Sequence, residues 1–125
     1  MPSAGADRVR HASAGTDPKG WYGGAWNWHL PVSLGYANEG IDEPHEHARL
    51  TEVYLVATGS ARARVELLDV ALQAGDVLVI DPGEAHTFVW SSEDYRHFVV
   101  HVPAMTVEEA GADKRPVPRA RLGLE

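Results

Sequence analysis

Short segments in which apolar and polar residues alternate fill most of the chain between residues 21 and 103, and they restrict it to a β-rich fold. Ala61, Ala63 and Val65 alternate with arginines, and residues 30–36 show the same period of two. This period places apolar side chains on one face of a strand and polar side chains on the other. Gly, Pro, Ser and Asp separate the segments at a spacing typical of sandwiches and jelly rolls. The sequence therefore predicts an all-β, single-domain jelly-roll barrel.

One apolar segment lacks this alternation. The residues Val77, Leu78, Val79 and Ile80 follow one another without a polar residue between them, and Asp-Pro-Gly comes directly after them. A short continuous apolar run is typical of a strand that is covered on both faces. We therefore expect residues 77–80 to form a fully buried strand.

The segments that flank the predicted barrel, residues 21–103, differ from it in composition. Residues 1–20 are rich in Ala, Gly, Ser and charged residues and show no periodicity. Such a segment has too few apolar side chains to pack, so we expect a mobile N-terminal arm. Residues 104–125 form a C-terminal extension that we expect to leave the barrel.

A capping-box pattern lies at the start of the C-terminal extension. Thr106 is followed three positions later by Glu109, which predicts a short helical turn over residues 107–110. Gly111 is expected to end this turn. Pro116 and Pro118 then favour an extended tail.

The composition excludes several classes of function. A chain of 125 residues is enough for one domain, and its net charge of −7 argues against nucleic acid as a partner. No apolar run approaches the ~18 residues of a membrane span, and the N-terminus lacks the apolar core of a secretory signal. The absence of cysteine removes disulfides and thiolate ligands. These features fit a cytoplasmic protein in which nitrogen and oxygen atoms hold any metal.

Two clusters contain the residue types that bind transition metals. The first holds His45, His47 and Glu52, and the second holds His86. Residues two apart on a strand share a face, so the side chains of His45 and His47 leave on the same side. Imidazole suits zinc, copper, iron and nickel, and a carboxylate adds an anionic oxygen that manganese also accepts. We expect these four residues to hold one divalent transition metal (Fe, Zn, Ni, Mn or Cu), with Glu52 either a ligand or an acceptor that supports the ligands.

The two clusters resemble the paired motifs of the cupin superfamily. The first motif is represented by Gly40, His45, His47, Glu52 and Gly59, and the second by Gly75, Pro82, Gly83 and His86. In two respects the chain departs from the family pattern: proline directly precedes Gly83, and Trp90 stands where Asn is common. The resemblance covers about residues 28–103. The spacer between the two motifs, residues 60–74, is short, as in small bacterial cupins. It implies a cupin-type jelly roll and, because small relatives are commonly paired, a homodimer.

Further residues are candidates for proton transfer at such a site. His97 and His101 are four apart and share one strand face, so both line the barrel or both lie on its surface. Histidine suits proton transfer because its unperturbed pKa lies near ~6.5. We name His101, His97 and Tyr54 as candidate catalytic residues, with surface or core packing as the alternative for each.

These residues together favour a metal-dependent enzyme that acts on a small organic molecule. Iron would indicate dioxygenase chemistry, whereas zinc, nickel or manganese would suit isomerase, cyclase or lyase chemistry. The sequence leaves this choice open. The alternative functions are a non-catalytic cupin that binds or senses a small ligand, and a metal-free scaffold.

Overall fold

Two antiparallel five-stranded sheets make up the body of the protein. The computed structural model describes residues 9–125. The strands are β1 (Lys19–Gly23), β2 (Ser33–Ala37), β3 (His45–His47), β4 (Thr51–Thr58), β5 (Ser60–Val65), β6 (Leu68–Gln73), β7 (Val77–Ile80), β8 (His86–Ser91), β9 (Arg96–Val102) and β10 (Lys114–Pro116); helix α1 is Val107–Asp113, and a 3-10 helix is Arg119–Leu122. The predicted all-β jelly roll with a short C-terminal helix is confirmed.

Each sheet contributes one face to the interior. The first sheet has the order β1-β2-β9-β4-β7, and the second has the order β10-β3-β8-β5-β6. Alternate residues of the strands point between the sheets, so the period of two in the sequence becomes an inside and an outside. The main core cluster contains Tyr54, Val56, Ala61, Ala63, Leu72, Ile80, Phe88 and Tyr95.

The prediction that residues 77–80 are covered on both faces is wrong within a single copy of the chain. Strand β7 pairs with β4 alone and forms an edge of the first sheet. Ile80 is buried between the sheets, but Val77 is 57 % exposed and Val79 is 52 % exposed on the outer face. The continuous apolar run therefore has one face in the core and one face in contact with solvent.

Helix α1 extends beyond the predicted turn. Its capping box is present, with the Thr106 side chain accepting from the Glu109 N–H and the Glu109 side chain accepting from the Thr106 N–H. Gly111 does not end the helix, which continues to Asp113. Ala110 is buried beside Leu50 and Met105, so tertiary packing of one helix face outweighs the low helix propensity of glycine.

The C-terminal tail rejoins the second sheet. Strand β10 is extended, as the prolines predict, but it pairs with β3 instead of leaving the barrel. Leu122 of the 3-10 helix is fully buried, and its carbonyl accepts a hydrogen bond of 2.7 Å from Nη1 of Arg64. Leu122 and Arg64 are 58 positions apart in the sequence, so the local sequence gives no indication of this contact.

The N-terminal region is described from residue 9 onward, and the first part of the predicted mobile arm lies outside the described residues. Strand β1 begins at Lys19, two residues before the expected start of the barrel. Before this strand, the side-chain amide of Asn38 donates to the carbonyls of Gly15 and Asp17 at 3.0 and 2.8 Å. No helix among residues 9–125 is long and apolar enough to cross a membrane.

Candidate metal centre

Strand β3 supplies two of the four predicted ligands. It lies between β10 and β8, and Cα of His45 is the partner of Cα of His86. His45 and His47 point toward the interior, whereas Glu46 between them points outward and pairs with Arg115 and Arg121 at 2.8 and 2.7 Å. The His-x-His spacing on a strand therefore works as the sequence predicts.

His86 begins strand β8 directly after a tight turn. Gly83 in this turn has a positive φ of 84°, and the Asp81 N–H donates to the Glu84 carboxylate at 2.8 Å. The turn places the His86 ring in the cavity, where the residue is 2 % exposed. A residue other than glycine is strained at this φ, which explains the glycine of the second motif.

The first sheet supplies the carboxylate. Glu52 is buried on the inner face of β4, and its Oε1 lies 2.7 Å from Nε2 of His86, 3.5 Å from Nε2 of His47 and 3.6 Å from Nε2 of His45. Ligand atoms of His45, His47 and Glu52 lie within 4.8 Å of one another. The structure thus brings all four predicted ligands together at one end of the cavity, which we call the metal end.

Hydrogen bonds to the main chain fix two of the imidazoles in the form that metals require. Nδ1 of His45 lies 2.6 Å from the Glu43 carbonyl, and Nδ1 of His86 lies 3.1 Å from the Glu84 carbonyl. A carbonyl only accepts, so Nδ1 carries the proton and Nε2 presents a lone pair. These lone pairs face an oxygen of Glu52, an arrangement that is repulsive unless a proton or a cation lies between them. The donor set therefore fits a divalent transition metal.

Burial and hydrogen bonding shift the titration of these groups in opposite directions. Burial alone raises the pKa of Glu52, but its contacts with the surrounding histidines, His101 first among them, outweigh burial and hold the pKa well below its usual range. Burial lowers the pKa of His45, although its contact with Glu52 partly offsets this effect. At neutral pH the metal end therefore combines one carboxylate anion with a neutral His45.

Both candidate histidines of β9 lie inside the protein. The register of β9 against β4 places His101 opposite Glu52 and His97 opposite Val56. Nε2 of His101 lies 2.8 Å from Oε2 of Glu52, and the Trp21 ring packs edge-on against His101 with centroids 4.8 Å apart. His101 therefore contacts the carboxylate oxygen that the other three histidines leave free. The surface alternative is wrong for both histidines.

The other end of the cavity, which we call the aromatic end, is formed by Phe88 and His97, and Tyr95 packs against both rings. The Tyr95 hydroxyl lies 2.6 Å from Nδ1 of His97. Burial lowers the pKa of His97 to about 4. Tyr54 lies between the two ends, with its hydroxyl 3.3 Å from Nε2 of His86 and its ring centroid 4.9 Å from that of His97. Burial and the charge of Glu52 raise the pKa of Tyr54, so its hydroxyl stays protonated.

Sequence reasoning missed Asp113, the last residue of α1. This side chain is 4 % exposed and accepts hydrogen bonds from the main-chain N–H groups of Arg49 and Leu50 at 3.1 and 3.2 Å. Its Oδ2 lies 3.6 Å from Nδ1 of His47. Burial raises the pKa of Asp113, but the two main-chain donors outweigh it and the pKa is lowered. Asp113 is separated from Arg49 by 64 positions, so no local pattern could have revealed this contact.

The two ends share one cavity of about 420 Å³ between the sheets. Its exposed rim carries Lys19 and Lys114, which both contact the Glu43 carboxylate. The walls between rim and interior include Val99, Ile41 and other apolar groups. The volume suits a small organic molecule, because ligand pockets typically measure roughly 300–1,000 Å³.

Comparison with known folds agrees with this architecture. Solved structures that are similar to this chain include PAC13 of Streptomyces, described as a nucleoside dehydratase (TM-score 0.63, 14 % identity, covering 86 % of this chain and 91 % of that one). KdgF from Halomonas sp. is similar over 74 % of this chain and 88 % of its own (TM-score 0.59, 19 % identity). A predicted oxalate decarboxylase from Thermotoga maritima is similar over 68 % and 78 % (TM-score 0.56, 21 % identity). At these identities the likeness establishes the fold.

Family membership follows from the sequence itself. A search of curated protein sequences gives no significant match. The family model described as Cupin domain matches residues 34–102, a segment that contains all four predicted ligands and both histidines of β9. This match spans more than half of the 125 residues. The chain belongs to the cupin family.

Proposed function

We propose that this protein is a metal-dependent enzyme that acts on a small organic molecule bound between the two sheets. The observation that carries the proposal is the convergence of His45, His47, His86 and Glu52 at one end of the cavity. The main-chain hydrogen bonds of His45 and His86 support it, because they leave Nε2 of each ring unprotonated. A metal-free scaffold would have no need to orient these lone pairs toward a buried carboxylate.

The residues of the metal end divide into ligands and supports. His45, His47 and His86 would hold the metal through Nε2, and Glu52 through Oε1. When bound, the ion supplies a Lewis acid that polarises a substrate oxygen. His101 holds the second oxygen of Glu52 and so fixes the orientation of the carboxylate.

Tyr54 is the group best placed to exchange a proton with a bound molecule. Its hydroxyl lies beside the metal end, and its raised pKa keeps the proton available at neutral pH. Isomerisation, dehydration and lyase reactions all require such a donor next to a polarised oxygen. We therefore favour this class over dioxygenase chemistry, and the nucleoside dehydratase among the structural neighbours is consistent with that choice. Iron as the bound metal would instead favour a dioxygenase.

Metal analysis tests the proposal directly. We expect about one divalent transition metal per chain in protein that has never been exposed to a chelator, and loss of that metal at acid pH as the imidazoles protonate. A His45→Ala, His86→Ala double variant should contain none. The matched control is His11→Ala, because His11 is exposed and lies outside the cavity. Wild-type protein with no more metal than the double variant would contradict the proposal.

A substrate screen with the metal-loaded protein separates an enzyme from a binding protein. Small molecules that combine a planar ring with carbonyl and hydroxyl groups, uridine among them, are the first compounds to examine. Turnover that disappears in the double variant would support the enzyme. Tight binding without turnover would favour the non-catalytic ligand-binding alternative.

The outer face of the first sheet supports a homodimer. Its outward residues on β4, β7 and β9 are largely apolar and include Val53, Leu55, Val77, Val79, Phe98, Val100 and Val102. Leu55, Phe98 and Val102 are between 37 % and 42 % exposed. The outward positions of these three strands carry no acidic residue, so two copies of a chain with net charge −7 can approach there without direct repulsion. We propose that a second copy covers this face.

Light scattering tests the assembly. We expect a mass near twice 13.6 kDa for the wild type, and a monomer for Val79→Glu because a buried carboxylate would lack a partner. Ala71→Glu is the matched control, since Ala71 is exposed on the outer face of the second sheet. A wild-type mass of about one chain across micromolar concentrations would rule out the dimer.

A further inference from the structure

The polar pair at the aromatic end is not explained by metal binding. The Tyr95 hydroxyl and Nδ1 of His97 lie 2.6 Å apart, and the two side chains are 2 % and 4 % exposed. Among residues 9–125, neither side chain has a hydrogen bond to any other protein group. Buried polar groups are costly unless they are satisfied, so the pairing fixes where the protons lie.

Only one arrangement satisfies the Tyr95 hydroxyl. If Nδ1 of His97 carried the proton and donated it to Tyr95, the hydroxyl proton of Tyr95 would have no acceptor. If Tyr95 donates to Nδ1 instead, its proton is satisfied, and the neutral ring must carry its own proton on Nε2. Burial raises the pKa of Tyr95, which agrees with a hydroxyl that keeps its proton.

The surroundings keep the ring uncharged. Phe88 packs against His97 with ring centroids 5.1 Å apart, and Tyr54 packs edge-on at 4.9 Å. The titratable groups that face the ring are Tyr54 and Tyr95, and the nearest charge that acts on it is Glu52. Burial lowers the pKa of His97 by more than the negative charge of Glu52 raises it. The two lysines among the cavity residues contact Glu43, so within residues 9–125 no lysine or arginine of the cavity pairs with His97.

We propose that His97 is a specificity-determining residue whose Nε2–H group, set by Tyr95, binds an uncharged hydrogen-bond acceptor of the substrate. This inference rests on the proposed function and narrows the substrate class. The ligand has an oxygen that reaches the metal end, a flat apolar body, and a carbonyl or similar neutral acceptor that reaches the aromatic end. An anionic group at the second position is disfavoured, because a neutral imidazole gives it no compensating charge.

The first test measures the proton position without any ligand. Long-range proton–nitrogen NMR correlations of protein with ¹⁵N-labelled histidine, assigned by loss of one signal in His97→Gln, distinguish the two neutral forms and the cation. We expect the Nε2–H form of His97 in metal-free wild-type protein at pH 7. The Nδ1–H form, or the cation, at that pH would overturn the inference. This result does not depend on metal binding, so it stays decisive even where the proposed function fails.

The second test uses two chelating probes of similar shape. The carboxylate of 4-acetylbenzoate suits the metal end and its acetyl oxygen is a neutral acceptor, whereas 4-isopropylbenzoate lacks the acceptor. With zinc-loaded protein we expect the acetyl compound to bind about tenfold more tightly, the effect typical of one buried hydrogen bond. His97→Phe should remove the difference and His97→Gln should retain part of it, because glutamine keeps an N–H donor.

The outcomes separate the two proposals. Equal affinities for the two probes in the wild type, or no measurable binding of 4-acetylbenzoate to protein that has taken up one zinc, would overturn the inference about His97 and leave the metal site intact. Protein that takes up no zinc would overturn the proposed function, and the NMR measurement would then decide the inference about His97 by itself.

Discussion

The two ends of the cavity use the same residue type in opposite ways. At the metal end, imidazoles from both sheets converge on one carboxylate, and Nε2 of the three histidines of the second sheet faces the same carboxylate oxygen. At the aromatic end a single imidazole is tied to a tyrosine hydroxyl and is otherwise surrounded by rings. The difference shows that the surroundings of a histidine, and the partner of its second nitrogen, decide whether it offers a lone pair or a proton.

The largest expected effect comes from His47→Ala at the metal end. This change deletes one arm of the His-x-His pair, so we expect metal affinity to fall more than ~100-fold, beyond the range for losing a supporting group. Isothermal titration with zinc measures it. The comparison predicts that His97→Gln at the aromatic end leaves zinc affinity within about twofold of the wild type. A comparable loss in both variants would mean that the two ends are not independent.

The lowered pKa of His97 at the aromatic end should make the stability of the protein depend on pH. The pKa of His97 falls from its ordinary 6.5 to about 4 on folding, so between these values the unfolded chain binds the proton and the folded chain does not. Stability therefore declines as the pH falls from 6.5 toward 4, by up to about 3 kcal/mol from this residue. Urea unfolding with a chelator present, at pH 7 and pH 4.5, measures the decline.

His97→Gln is the matched variant for this measurement, because it removes the titrating group and leaves the histidines of the metal end to contribute equally in both proteins. The variant should lose less stability than the wild type over the same pH range. Identical losses would show that His97 titrates normally in the folded protein, contrary to its burial.

Glu52→Gln should have a smaller effect on metal binding than His47→Ala. Glutamine keeps an oxygen donor but removes the negative charge, so we expect zinc affinity to fall by roughly 10- to 100-fold. The same variant should lose the contribution of Glu52 to acid sensitivity. A lowered folded-state pKa means that this stability is present above the ordinary carboxyl pKa and disappears as the pH falls through the folded value. Zinc affinity equal to that of the wild type would show that the negative charge of Glu52 takes no part in metal binding.

Asp113→Asn should have the smallest effect among these changes. Asparagine can still accept from the N–H groups of Arg49 and Leu50, but it presents no charge to His47. We expect about a tenfold loss in zinc affinity with little change in melting temperature. Arg49→Ala is the control, because it removes an exposed partner of Asp113 and leaves the carboxylate in place. An equal loss of affinity in both variants would point to a loosened loop.

The fold class and the shared strand face of the two candidate ligands His45 and His47 were predictable because both depend on local geometry. A period of two places alternate residues on one face of a strand, which made the strands and the shared face of His45 and His47 readable from the sequence. The capping box at Thr106 was readable for the same reason, since its partners lie within one helical turn. The resemblance to cupins added the joint use of Glu52 and His86, which the sequence pattern alone could not place in contact.

The remaining features of the site depend on contacts between segments that are far apart in the sequence. The register of β9 against β4 brings His101 to Glu52, and no local pattern distinguishes this register from one shifted by a single residue. The edge position of β7, the return of β10 to β3 and the contact of Asp113 with His47 likewise depend on which surfaces meet. The sequence by itself determined which side chains share a strand face and which can bind a metal. Only the tertiary structure decided which faces oppose one another, because burial and register are set by contacts between segments far apart in the chain.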